Sequence, residues 1–293
     1  MNLRVSIVTP TLNQAANLEA TMRSVLDQGR DAVEYVVVDG GSTDGSAAVA
    51  ECCRTATTDW ISEPDAGPYD AVNKGFARSS GEIMAWLNAG DSHLPWTLSV
   101  VAEIFGQFPD VEWITTLYPI QADADGRPVN CCYRPVPTQA GIRRGQALPA
   151  PPWHGADWIQ QESTFWRRSL WERAGGCLDL SYPLAADFDL WLRFAELTDL
   201  VGVGVPLAAF RVQAGQRSER HYADYVREAD AAIRKRGTRP RGPVRRWTDR
   251  HVLSRTPPAL QGLMRDHGWL SPSRICVNPD RAAGWQLVSR LRP

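Results

Sequence analysis

Tyr35-Val36-Val37-Val38-Asp39-Gly40-Gly41-Ser42-Thr43-Asp44-Gly45-Ser46 is the stretch that decides the fold. A β-branched run predicts a short buried strand. A polar, glycine-rich turn ends it, and alanine-rich sequence after the turn predicts a helix. The same alternation runs both ways from here. Upstream, Val5-Ser6-Ile7-Val8-Thr9-Pro10 predicts a buried strand ended by proline. Leu18, Met22, Val25 and Leu26 then recur at helical spacing, and Gly29 marks the stop. Downstream, Trp60-Ile61-Ser62 predicts a third strand and Asp70 to Ala77 a helix with Ala71, Val72 and Phe76 on one side. Ile83-Met84-Ala85-Trp86-Leu87 predicts a fourth strand. Pro95 opens a helix with Leu98, Val101, Ala102 and Phe105 inward. Strands alternating with helices predict an α/β fold with a mainly parallel sheet.

Beyond this half the pattern loosens. Seven prolines fall between Pro119 and Pro152, which predicts a long excursion over the sheet, part of it a mobile lid. Helices are expected over 167–174, over 187–198 and from about Ser218 to Arg236, with late strands at Val201-Gly202-Val203 and Ala208-Ala209-Phe210.

Ligands of open parallel sheets bind beyond the carboxyl ends of the strands. Asp39, Asp65 and Asp91 all stand at such ends. Acids gathered there bind a divalent cation or accept hydrogen bonds from a nucleoside. A plainer reading stays open, in which Asp39 and Asp44 are turn and helix-cap residues. Other chemistries lack their motifs. Gly40, Gly41 and Gly45 do not spell G-x-G-x-x-G, and no Walker loop occurs. The five histidines form no H-E-x-x-H, and G-x-S-x-G and C-x-x-C are absent.

Six blocks, in order, resemble the family 2 glycosyltransferases. They are Ser6 to Asn13; Val37 to Gly45; Ser62-Glu63-Pro64-Asp65-Ala66-Gly67-Pro68-Tyr69-Asp70-Ala71-Val72-Asn73-Lys74-Gly75; Trp86-Leu87-Asn88-Ala89-Gly90-Asp91; Gln161-Glu162-Ser163-Thr164-Phe165; and Ala186-Asp187-Phe188-Asp189-Leu190-Trp191-Leu192-Arg193. The resemblance is densest over 4–92, resumes near 160–212 and leaves the tail uncovered. It implies a GT-A fold, a Rossmann-like, mainly parallel sheet flanked by helices. It divides the chain into a transferase domain over 1–218 (nucleotide-sugar half 1–118, acceptor and catalytic half 119–218) and a basic, helical C-terminal extension over 219–293. The implied activity is inverting transfer from a nucleotide sugar, a UDP-sugar first of all. The acceptor is a glycan or a lipid-linked glycan of bacterial surface polysaccharide or lipopolysaccharide synthesis. The alternative is a non-catalytic module of the same fold that binds nucleotide sugars or glycans.

The roles implied are specific. Asp39 accepts from the base, Thr9 and Asn13 line the nucleotide pocket, and Asp65 lies near the nucleoside. Asn88 belongs to the same donor site, and Asp91 holds Mg²⁺ or Mn²⁺ across the two phosphates. Asp70 and Lys74 lie one helical turn apart and address the ribose or diphosphate, or form an ordinary ion pair. Asp187 is the general base. Asp189, two residues on, points the other way on a helix and suits an arginine partner such as Arg193. Phe188 and Trp191 are expected to pack. Asn88 and Gly90 replace acids that the family often carries at the metal block, so Asp91 is the only carboxylate there. Gln213 stands where relatives often have histidine, and with Arg211 and Arg217 it is a candidate diphosphate contact. Trp153, His154, Trp158 and Gln161 are the candidate acceptor contacts.

The net charge of -1 argues against a nucleic-acid partner but hides a split. Residues 1–200 hold 14 basic and 26 acidic side chains, and residues 201–293 hold 18 and 7. Nine basic residues lie between Arg234 and Arg255, with Trp247 among them. Such a tail suits a peripheral contact with an anionic membrane, or an arm against the acidic domain. No apolar run approaches the ~18 residues of a span, no signal core opens the chain, and six cysteines without metal spacing fit free thiols. A cytoplasmic protein is the expectation, with a peripheral site at the inner face of the plasma membrane as its further option.

Overall fold

A computed structural model describes residues 3–29, 33–148, 158–213, 216, 220–240, 273–278 and 284–290. The expected alternation is present: β1 (Val5–Thr11), α1 (Ala15–Leu26), β2 (Val33–Asp39), α2 (Ser46–Cys53), β3 (Thr58–Ser62), α3 (Pro68–Arg78), β4 (Ile83–Trp86), β5 (Ser92–His93) and α4 (Thr97–Gln107). β6 (Trp113–Thr116), β7 (Ile120–Ala122), β8 (Pro128–Cys131) and α5 (Gln139–Arg143) follow. A 3₁₀ turn (Gln161–Ser163) then leads to β9 (Phe165–Arg167), α6 (Arg168–Arg173), α7 (Ala186–Leu197), β10 (Val201–Val203) and β11 (Ala208–Arg211). α8 (Tyr222–Lys235), β12 (Ser273–Val277) and β13 (Gln286–Arg290) complete the described chain.

The main sheet runs β13-β12-β10-β6-β9-β4-β1-β2-β3. β1 pairs in parallel with β2 and β4, and β2 with β3, so these four strands end at one edge. β9 is antiparallel to both β4 and β6. A second sheet, β5-β11-β7-β8, lies at the late strands. Helices cover both faces of the main sheet, so its strands are apolar on both sides. Val8, Val36, Val38 and Trp86 join one core cluster with α3, α6, α7 and α8. Ile7, Tyr35, Val37 and Ala85 join the other with α1, α2 and α4. α3 lies so close to β1 that a Cβ at Gly75 would stand 2.4 Å from Val8 Cγ1.

Most of the described tryptophans pack. Trp86, Trp113, Trp166 and Trp191 are buried, and Trp86 stacks on Trp191 at 5.9 Å. Phe188 is buried as well. All six cysteines are free. No helix among the described residues is long and apolar enough to cross a membrane.

Two sequence expectations need correction. The proline-rich excursion carries two strands and a helix and buries Val136, Ile142 and Leu148 in the main core. Its prolines suit the turns around these short elements rather than a featureless loop. The region after residue 218 is not simply a helical appendage. Ala229, Ala232 and Ile233 of α8 are fully buried in the main core, and β12 pairs with β10 in the main sheet. Of the basic stretch, Arg234, Lys235, Arg236 and Arg239 are described, and the part from 241 to 255, with Trp247, lies outside the described residues.

Candidate active site

The turn after β2 holds Asp39 in a closed set of hydrogen bonds. Its carboxylate accepts from Ser42 N at 3.1 Å, from the Ser42 hydroxyl and from Ser62 Oγ at 2.7 Å. Asn13, at a left-handed φ of 52°, ties this turn to the end of β1. Its Oδ1 accepts from Thr43 N at 2.9 Å, and its backbone N–H donates to Ser42 Oγ at 2.8 Å. Asp44 accepts from Ala15 N at 2.9 Å and from Ser46 Oγ at 2.6 Å, tying the starts of two helices together. That is the capping role left open from the sequence. Asp65 comes over the same turn, where a Cβ at Gly40 would fall 2.5 Å from its Oδ2. Glycine there lets the carboxylate rest on the backbone beside Asp39.

Thr9 lies away from any opening. It is fully buried, with its hydroxyl 2.9 Å from Tyr35 Oη in the core. Thr11, paired with Asp39 across the ladder, has a buried hydroxyl with no partner. The strand's period of two put both threonines on one face, and only depth separates them. Asp70 and Lys74 form an ion pair at 3.4 Å. Lys74 also meets Glu63 at 3.0 Å and donates to the Pro64 carbonyl at 2.8 Å. The ion-pair reading describes them.

The loop after β4 carries the second acid. Thr21 of α1 pins it, accepting from Gly90 N at 2.9 Å and donating to the Asp91 carbonyl at 2.8 Å. Asp91 Oδ1 accepts from Arg211 N at 2.9 Å, which joins β11 to this loop. Burial, only partly offset by that bond, pushes the Asp91 carboxyl up to about 7. Asn88 donates to Gln161 Oε1 at 3.1 Å, and Gln161 donates to the Trp86 carbonyl at 2.6 Å. Gln161 is buried, so it braces the Asn88 loop and does not face an acceptor. Arg211 and Gln213 converge on Asn17 Oδ1 of α1, at 3.0 and 3.5 Å. Trp158 stands 6.3 Å from the Phe210 ring. Trp153, His154 and Arg217 lie outside the described residues.

Glu162 is a buried acid of the candidate site to which the sequence alone assigns no role. It is buried, within hydrogen-bonding reach of the Asp91 carboxyl, and its Oε2 has no partner. Burial first, then the Asp91 charge, raises its carboxyl well above the usual range, and the Asp187 charge adds to this. Glu162 thus lies within electrostatic range of both Asp91 and Asp187. An ionisable residue within the otherwise uncharged Gln160-Gln161-Glu162-Ser163-Thr164 run was the available signal.

Asp187 stands in the first turn of α7 and is half-buried. Tyr69 Oη donates to its Oδ1 at 3.2 Å and Tyr225 Oη of α8 at 3.4 Å. Glu228 of α8 accepts from Leu184 N and Ala185 N, at 2.8 and 2.9 Å, just before α7. Burial outweighs these hydrogen bonds and pushes the Asp187 carboxyl up to about 6. Asp189 turns the other way, is buried, and meets Arg193 at 3.0 Å and Arg236 at 2.9 Å.

Asp39, Asp65 and Asp91 stand at the carboxyl edge of a parallel sheet, and over residues 6–168, which hold these three and Glu162 but not Asp187, the chain matches the family described as glycosyl transferase family 2. The chain belongs to that family. It is a glycosyltransferase. A glycosyltransferase of Mycobacterium tuberculosis is 30% identical over 209 residues, 70% of this chain and 74% of its own. A PGL/p-HBAD biosynthesis glycosyltransferase of Mycobacterium bovis is 37% identical over 106 residues, 35% of this chain and 41% of its own. Among solved structures, the mannosyltransferase PcManGT of Pyrobaculum calidifontis, in complex with GDP-Man and Mn²⁺, aligns with a TM-score of 0.60 at 19% identity. It covers 82% of this chain and 66% of that one. S. aureus TarS 1–349 aligns with a TM-score of 0.58 at 15% identity, covering 78% and 65%. The chain thus spans slightly under two thirds of the length of these solved chains. At such identities the likeness is one of fold, and the fold of this family 2 transferase is GT-A.

The family implies a divalent cation, and the residues at Asp91 fit one. A buried carboxylate stands beside an acid whose Oε2 is buried and unpartnered. Among the described residues, no three His, Cys, Asp or Glu side chains form a closed metal cage. That suits a cation completed by substrate phosphates and water, as Mg²⁺ commonly is.

Proposed function

We propose that this family 2 transferase moves a sugar from a UDP-sugar to a glycan or lipid-linked hydroxyl with inversion at the anomeric carbon. The observation that carries this reading is Asp187, a half-buried carboxyl held by two tyrosine hydroxyls and poised near 6. A general base works best with a pKa near the working pH. The acceptor oxygen attacks the anomeric carbon while the bond from that carbon to the diphosphate oxygen breaks. The hydroxyl proton passes to Asp187, and the nucleoside diphosphate departs on the opposite face.

The donor lies, in this reading, along the strand ends. Asp39, Asn13 and Asp65 shape the nucleoside side, and the orphaned Thr11 hydroxyl gains a partner there. Asp91 holds the cation, with Asn88 as its neighbour. When bound, the cation neutralises charge on the leaving diphosphate. Arg211 and Gln213 flank the same end, and Arg217 is a further diphosphate contact. Trp153, His154 and Trp158 meet the acceptor. The basic tail rests on an anionic membrane surface. Mg²⁺ and Mn²⁺ both suit the site, and surface polysaccharide or glycolipid synthesis is the setting.

The test is turnover of UDP-sugars with Mn²⁺ by wild type and Asp187→Asn. The variant should lose at least about 10³-fold in kcat, more than the usual general-base contribution would need at its low end. Its affinity for UDP should stay within twofold. Equal turnover would remove Asp187 from the reaction, and no turnover by wild type with any sugar nucleotide would favour a binding module.

A further inference from the structure

We infer that Glu162 supplies a second carboxylate to the cation site at Asp91, replacing the acid that Asn88 and Gly90 leave out of the preceding loop. This rests on the donor reading above. Three observations point to it. Glu162 is 4% exposed, and its Oε2 has no hydrogen-bond partner. Its carboxyl lies against that of Asp91, and the two come from different elements, the loop after β4 and the turn before β9. Gln161, the residue before it, braces Asn88 and the Trp86 carbonyl, so the two backbone segments are fixed side by side.

Two buried acids without a cation between them cannot both ionise, so one must keep a proton, and a buried carboxyl oxygen with no partner goes without the water it gave up. A divalent cation relieves both costs. Hard cations take carboxylate oxygens, and Mg²⁺ and Mn²⁺ sites that use one or two carboxylates leave the remaining positions to water and phosphate. Arg211 N–H already occupies Asp91 Oδ1. A second acid therefore adds ligand capacity where the first is partly engaged.

The test measures Mn²⁺ binding by the electron paramagnetic resonance of free Mn²⁺, on the full chain, with and without UDP. UDP affinity in EDTA is measured by calorimetry. Wild type should bind Mn²⁺ more tightly when UDP is present. Glu162→Gln should weaken Mn²⁺ binding at saturating UDP at least tenfold and leave UDP affinity in EDTA within twofold. Glu162→Asp, which keeps the charge on a shorter stem, should lose about threefold and guards against a folding failure in the amide variant. Wild-type Mn²⁺ affinity in both variants overturns the inference. So does loss of turnover in Glu162→Gln with Mn²⁺ affinity intact, which would give Glu162 a role in proton transfer. A wild-type chain that binds UDP but no Mn²⁺ overturns this inference alone, whereas one that binds neither overturns the donor reading with it.

Discussion

Asp39 and Asp91 close neighbouring stretches of one sheet edge, are almost equally buried (1% and 5% exposed), and live in opposite company. Asp39 is met from within the protein by a backbone N–H and two serine hydroxyls. Asp91 is met by one backbone N–H, by the Asn88 amide and by another acid. A carboxylate whose lone pairs are filled internally stiffens the turn that carries it. One left beside a second acid is held for a partner from outside. Position at the edge of the sheet makes both candidates for binding, and only the hydrogen-bond inventory separates their tasks.

Four measurements press on this contrast. The largest expected effect is at the satisfied acid. Asp39→Ala removes the acceptor of three donors, from half-buried Ser42 and exposed Ser62, and should cost about 1–3 kcal/mol in urea unfolding, since each such hydrogen bond contributes roughly 0.5–1.5 kcal/mol. A loss below about 1 kcal/mol would erase the difference between the two regions. At the other acid the effect should be smaller. Burial and the Asp91 charge favour the protonated form of Glu162, so the amide of Glu162→Gln replaces one donor to Asp91 with another and, in EDTA at pH 7, should change stability by less than about 1 kcal/mol. A loss above about 2 kcal/mol would mean that Glu162 makes contacts beyond the Asp91 pair.

The third measurement is the acid limb of kcat/KM. The ionised form of Asp187 is the proposed base, and burial lifts its carboxyl from 3.8 to about 6. Activity should therefore fall about tenfold per pH unit below 6, two units sooner than an exposed aspartate would dictate. The smallest effect is Tyr225→Phe. Its hydroxyl favours the ionised carboxylate, so losing it should move that limb upward by a few tenths of a pH unit and lower kcat about threefold. An unmoved limb would mean that α8 touches the base without tuning it.

Much of the donor side was legible in the sequence. The run from Val36 to Ser46 announces strand, turn and helix by β-branching and by glycine, which are local signals. Asp189 could be separated from Asp187 by helical geometry alone, and it is bound to Arg193 as that geometry implies. The rest was hidden for a reason of distance. Tyr225 and Glu228 lie about 40 residues beyond the Asp187 turn that they support, on a helix that the sequence alone places in a basic extension. Nothing local marks Ala229, Ala232 and Ile233 as core when arginines surround them, because burial is decided by what packs on a face. The short strands between the prolines were lost likewise, since three- or four-residue strands carry little periodicity.

By itself the sequence determined the strand-and-helix order of the first hundred residues, the acids at the strand ends and the family blocks, because each is written in neighbouring residues. The tertiary structure alone decided which acids are answered and which are not. Thr9 faces the core, Asp39 is closed off by serines, and Glu162 is brought from 71 residues away to lie against Asp91 with its Oε2 unpartnered. Whether a buried charge has a partner depends on atoms that only the fold brings together.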